Sequence, residues 1–285
     1  MSFNLILKRY VIVVMVAAFV FAVSACAALQ PPNANGPTSN LPPYPLSNTD
    51  PEQLETARIA WQQLAQRYAL APEPTVVLNP ITATIQALPP NATSSIFLPK
   101  VGDVTTQTEE ETRESLRRFI NDWQNLIGAD PNQLSLVERV DENSGVKVAR
   151  YEQKPFRIPL RGNFGKLVIR FQSDGRVIGL SSTCIRHADR LQSAVAALTP
   201  KVTAENVPAL LKRNPLTAQD ATGQEHTFSL GQDTGVEVHQ LVVYAVPSSK
   251  GQTLDVHLAW EIDVTNGPIK TIYLDAVNEQ VIAIK

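Results

Sequence analysis

The chain has 285 residues, 44% of them hydrophobic and 18% charged, and its 25 Lys and Arg against 27 Asp and Glu leave a formal net charge of -2 at pH 7. This is globular composition with length for one or two packed cores. Acids and bases are interspersed, so the basic stripe that a nucleic-acid binder needs to neutralise phosphates is missing, and that class is set aside.

The first 26 residues have the layout of a signal peptide: Lys8 and Arg9, an apolar run at 10–23, then Val23-Ser24-Ala25-Cys26. The run is shorter than the roughly 20 residues a transmembrane helix needs. Small residues before a cysteine, with an aliphatic one three positions back, resemble the lipobox of bacterial lipoprotein precursors, although Val23 replaces the commoner leucine. The resemblance implies a diacylglycerol thioether on Cys26 and cleavage ahead of it. The expected layout is a signal peptide at 1–25 and a Pro-, Asn- and Ser-rich tether at 26–49. Ala27 is not an acidic retention signal, which leaves the destination membrane open. Lipid on Cys26 leaves Cys184 as the one remaining thiol, and the burial tendency of free cysteine makes it a small core residue.

Folded structure is expected from Asp50 onward. Asp50 as N-cap and Pro51 at the first helical position open a helix whose apolar stripe is Leu54, Ala57, Trp61, Leu64, Ala65 and Tyr68, ending before Pro72. Prolines punctuate the next stretch, with short strands at 75–78 and 95–98. Thr108 and Glu111 form a capping box ahead of the stripe Leu116, Phe119, Ile120, Trp123, Leu126 and Ile127, and Gly128 stops that helix. The acidic residues 109–111 sit at the positive end of its dipole, where capping explains them.

From 133 to 184 the pattern turns to strands at 134–140, 146–152, 167–171 and 176–180. The last two flank Ser173-Asp174-Gly175, a hairpin turn, and the meander is expected to pack on the 109–127 helix. Further on, Thr203 caps a short helix through Leu211, a strand runs at 241–246, and residues 248–251 turn the chain. Leu254, Val256, Leu258, Trp260, Ile262 and Val264 then alternate without a break, leaving Asp255, His257, Glu261 and Asp263 on what should be a solvated face. Strands at 269–274 and 281–284 close the chain. The expected fold class is α+β, with antiparallel sheets packed against helices.

Leu258-Ala259-Trp260-Glu261-Ile262-Asp263-Val264, a turn, Tyr273-Leu274-Asp275-Ala276 and Val281-Ile282 together resemble the C-terminal signature of the PepSY domain. Upstream, the capped helix leads through 134–140 and 148–153 to Ile158-Pro159-Leu160-Arg161-Gly162, 167–169 and Asp174-Gly175-Arg176-Val177-Ile178. That order is similar to the FTP domain, the fungalysin/thermolysin propeptide module. The resemblance divides the chain into a helical and Pro-rich segment at 50–107, an FTP-like domain at 108–184 and a PepSY-like domain at 185–285. It departs at Asn278-Glu279, where the family commonly has Thr-Gly. In thermolysin-like zymogens these modules assist folding of the peptidase and block its cleft.

No peptidase signature accompanies them. The histidines are His187, His226, His239 and His257, and none has the i, i+4 partner of a zinc-binding His-Glu-x-x-His. Cys184 and His187 are too few to fill a tetrahedral metal shell, no nucleophile elbow or phosphate-cradling glycine loop occurs, and His257 with Asp255 and Glu261 reads as a solvated strand face. The expectation is a lipoprotein with no catalytic residue, metal or cofactor. Two roles stay open: regulation in trans of an exported metallopeptidase, by inhibition or folding assistance, or binding of another envelope component as a scaffold.

Overall fold

The computed structural model describes residues 43–48, 51–70, 75–102, 108–142, 145–213, 215–219, 224–248, 251, 253–267 and 269–285. The expected signal peptide and Cys26 lie outside these residues, as does Asp50. Strand β1 (Leu46–Asn48) comes first, followed by helix α1 (Gln53–Arg67). Glu52 stands at the helix N-cap without a side-chain cap bond, so Pro51 precedes the helix and is not its first residue. Ala57, Trp61, Leu64 and Ala65 are buried as the 3.6-residue period requires. A two-stranded sheet of β2 (Val77–Leu78) and β3 (Ile85–Ala87) follows.

Helices α2 (Glu109–Asp122) and α3 (Gln124–Ile127) come next, with Trp123 between them. The capping box is present in full: the Glu111 amide donates to Thr108 Oγ1 at 3.2 Å, and the Thr108 amide donates to Glu111 Oε2 at 2.8 Å. Thr108→Ala removes the first of these and should cost about 1 kcal/mol in urea unfolding, whereas Thr108→Ser, which keeps the capping hydroxyl, should be close to neutral. Gly128 ends α3 with φ 83°, and a Cβ there would meet Thr84 Cγ2 at 2.6 Å. Only glycine fits that stop.

Strands β4 (Leu134–Asp141), β5 (Val146–Gln153), β7 (Lys166–Gln172) and β8 (Val177–Ser182) form the antiparallel meander in the order β4-β5-β7-β8. Its β7–β8 turn closes at Gly175, φ 85°, whose amide donates to Gln172 O at 2.9 Å. Of the strand expected at 95–98, a single bridge between Phe97 and Arg176 is seen. The meander packs on the helices through a core that includes Trp61, Phe119, Trp123, Ile127, Ile169 and Leu180, and the first helix and residues 85–98 share it. Trp123 stacks on Phe119 with centroids 4.9 Å apart and meets Trp61 edge-on at 6.4 Å.

Between β5 and β7 the short strand β6 (Leu160–Gly162) leaves the meander and joins a second, eight-stranded sheet. Beyond β8 come α4 (Ala188–Ala196), α5 (Val207–Arg213) and strands β9 (Leu216–Gln219), β10 (Glu225–Phe228), β11 (Gly235–Pro247), β12 (Leu254–Thr265), β13 (Thr271–Asp275) and β14 (Val281–Ile284). The large sheet runs β10-β9-β14-β13-β12-β11-β6, with β1 beside the start of β12. It is antiparallel except where β6 pairs with β11 and β9 with β14. Leu254, Val256, Leu258, Ile262 and Val264 are buried on one face, where α4 packs against the first two and α5 packs nearer the last two. The α+β class with antiparallel sheets on helices is therefore observed.

Candidate functional site on the polar face of the large sheet

The largest gathering of partly buried ionisable groups lies on the other face of β12, the face expected to be solvated. That expectation is corrected: Ala259 is 0% exposed and Glu261 7%, and Asp275 on β13 is 1%. The cause is long-range. Residues 44–48 lie along β12 from one side, and β6 brings Arg161 in from the other. Asp263 remains exposed, as the alternation implies.

His257 pairs with neither Asp255 nor Glu261. Its Nδ1 lies 2.7 Å from Asp275 Oδ2, so the imidazole donates to an acceptor-only carboxylate. Asp275 Oδ1 accepts from the Tyr44 hydroxyl at 2.9 Å and from the Val277 and Asn278 amides at 2.8 Å each. The Tyr44 hydroxyl in turn accepts from the Leu258 amide at 3.0 Å. Burial pushes the Asp275 carboxyl upward, but the bonds from His257, Asn278, Val277 and Tyr44 outweigh it and hold the group below the usual carboxylate range. Tyr44 is pushed well above an ordinary phenol by its own burial and by the charge of Asp275.

A second cluster centres on Glu261. Arg161 Nε donates to Oε1 at 2.8 Å, the Tyr273 hydroxyl to Oε1 at 3.0 Å, and Gln240 Nε2 to Oε2 at 2.7 Å. Burial raises Glu261, and these three donors reverse the sign, leaving it below the usual range. Burial and the neighbouring carboxylate push Tyr273 up. Tyr244 and Tyr273 meet at 4.3 Å between centroids, linking the two clusters across β11, β12 and β13.

The geometry is that of two braced polar clusters. In a serine-type triad the nucleophile hydroxyl bonds the imidazole nitrogen opposite the carboxylate, whereas the hydroxyl here, from Tyr44, bonds the carboxylate itself. Cys184 is 0% exposed, and burial pushes its thiol up to about 12 against the opposing effects of Ser182 and Arg186. Such a thiol stays protonated and packs as a small apolar residue. Among the described residues no group of three or more His, Cys, Asp or Glu is arranged to hold a metal ion, and no helix is long and apolar enough to cross a membrane.

Sequence reasoning singled out His257 and Glu261 but missed Tyr44, Arg161, Gln240 and Asp275 as their partners. Separations of 231 residues for Tyr44–Asp275 and 100 for Arg161–Glu261 put those contacts beyond any local pattern. An apolar groove of about 470 Å³ lies elsewhere, between α1 and residues 75–80, with Trp61, Leu54 and Val76 in its wall. No protein-family model matches the sequence, and no curated relative is found.

Proposed function

We propose that this chain is an exported, lipid-anchored and non-enzymatic lipoprotein whose propeptide-like modules bind an exported metallopeptidase in trans, either blocking its cleft or assisting its folding. The lipobox ending at Cys26 supports the address. What carries the propeptide reading is the pairing of the strands on which the resemblance was read. Ala259 lies opposite Asp275 and Trp260 opposite Leu274, and Leu274 pairs onward with Val281. Glu279 adds to this, because it adopts φ 63° at the turn where the family commonly has glycine. A docking edge is also available: β4 ends the meander sheet, and Val137 and Val140 on it are 50% and 38% exposed.

The test is isolation of the full lipidated chain from its native envelope in mild detergent, with co-purifying proteins quantified by mass spectrometry. An exported metallopeptidase should be enriched, and the purified chain should then change its rate of hydrolysis or its recovery from denaturant. Enrichment of envelope scaffolds with no peptidase would leave only shared ancestry of the fold. The anchor is tested separately. Behind a signal peptide that is cleaved without lipidation, Cys26→Ser should move the protein from the membrane pellet to the soluble fraction by more than about tenfold relative to the native precursor, since the acyl chains supply the membrane affinity. Unchanged membrane retention would remove lipidation from the account.

A further inference from the structure

Beside the Glu261 cluster, at the β6 edge of the large sheet, a cleft of about 160 Å³ is lined by Arg161, Lys166 and Lys285 against the single acid Glu152, with Leu160 and Phe164 as its apolar wall. Arg161 is held in place there. Its Nε is committed to Glu261, and that carboxylate is itself fixed by Gln240 and Tyr273. Among the described residues neither Nη nitrogen of Arg161 has a hydrogen-bond partner and neither Lys166 nor Lys285 makes an ion pair. Lys285 Nζ lies 5.3 Å from the centroid of the Tyr273 ring, which draws its ammonium over the same face.

We infer that this cleft is a binding site for a carboxylate. A guanidinium whose Nε is already used still offers its two Nη donors in the plane that matches a carboxylate, and bracing by Glu261 lowers the entropy lost on binding. Charge selects an anion. The side chains of the lining are three cations against one acid, Glu152, with Glu261 engaged behind Arg161, so its side-chain charge is balanced toward an anion. Size agrees: at about 30 Å³ per water the space matches roughly five waters, enough for a carboxylate with two or three carbons against Leu160 and Phe164. The carboxylate can come from a small free acid or from an acidic side chain of a polypeptide.

The experiment is transverse-relaxation-optimised NMR of the mature lipidated chain in detergent micelles, following amides 160–166 and Lys285 during titration at constant ionic strength. Acetate should shift these signals saturably with a midpoint on the order of 1–10 mM, and neutral acetamide should leave them in place. Lys166→Gln with Lys285→Gln, both exposed positions that spare the Arg161–Glu261 pair, should raise the midpoint tenfold or more. A capped Ala-Glu-Ala peptide that saturates below acetate marks a polypeptide as the source, and the reverse order marks a small acid. The inference is overturned if acetamide acts as acetate does, if inorganic phosphate saturates at lower concentration, or if the double variant binds unchanged.

Discussion

Arg186→Met is expected to lower the free energy of unfolding by about 3–5 kcal/mol, read from urea denaturation followed by tryptophan fluorescence. Arg186 is 7% exposed and lies just past β8, where the chain crosses from the meander to α4 and the large sheet. Its Nε donates to Thr82 O at 3.2 Å and its Nη2 to Ala83 O at 2.8 Å, with a further bond from Nη2 to Asn125 O. Asn125 belongs to α3, so that carbonyl is one of the orphan acceptors at a helix C-terminus, where a cation is doubly favoured. Methionine fills similar volume but donates nothing. The two buried carbonyls of Thr82 and Ala83 and the part-buried one of Asn125 then lose a charge-assisted donor worth about 1.5–3 kcal/mol where burial is full and less at Asn125. Arg186→Lys keeps the charge but reaches fewer acceptors and should lose about half as much. A loss under about 1 kcal/mol for the methionine variant would show that water replaces the guanidinium and that this crossing does not depend on it.

The neighbourhood of Arg186 also shows what a sequence can and cannot disclose. Burial of Cys184, two residues earlier, was legible from residue type and from the strand-like run before it. The capping box at Thr108 and Glu111, the Gly128 stop, the turn at Gly175 and the apolar alternation from Leu254 to Val264 were legible because their causes are local. Helix α4 was not. It starts after His187, which has φ 50° and provides no capping side chain, so no start signal precedes it. Strands β9 and β10 are four residues each, and the residues they give to the core, Leu216, Ala218 and Phe228, are too few to set a period in the sequence. The polar face of β12 misled for the opposite reason. Alternation correctly separated its two faces, but whether a polar face meets solvent depends on Tyr44 and Arg161, which arrive from distant parts of the chain.

That long-range closure makes Asp275 the most sensitive position on the face. Asp275→Ala is expected to cost about 3–4 kcal/mol at pH 7, because His257, Tyr44, Val277 N and Asn278 N lose their shared acceptor in a site where Asp275 is 1% exposed. Asp275→Asn should be milder, about 1–2 kcal/mol. Its carbonyl oxygen still accepts from Tyr44 and the two amides, and its amide group can donate to His257 Nδ1 once the imidazole carries its proton on Nε2. The pH dependence has a definite sign. In the folded state the Asp275 carboxyl is held below the usual carboxylate range, so its ionisation contributes stability above the unfolded pKa that is lost as pH falls through the folded value. Wild-type unfolding free energy should therefore drop as pH falls below about 4, and the Asn variant should show a shallower decline there. Equal slopes for the two proteins would mean that other carboxylates set the acid limit and that Asp275 is held by its hydrogen bonds in either protonation state. A shallower slope in the variant, with Tyr44→Phe showing a smaller loss at pH 7, would establish that the charge of Asp275 fastens residues 43–48 to the large sheet.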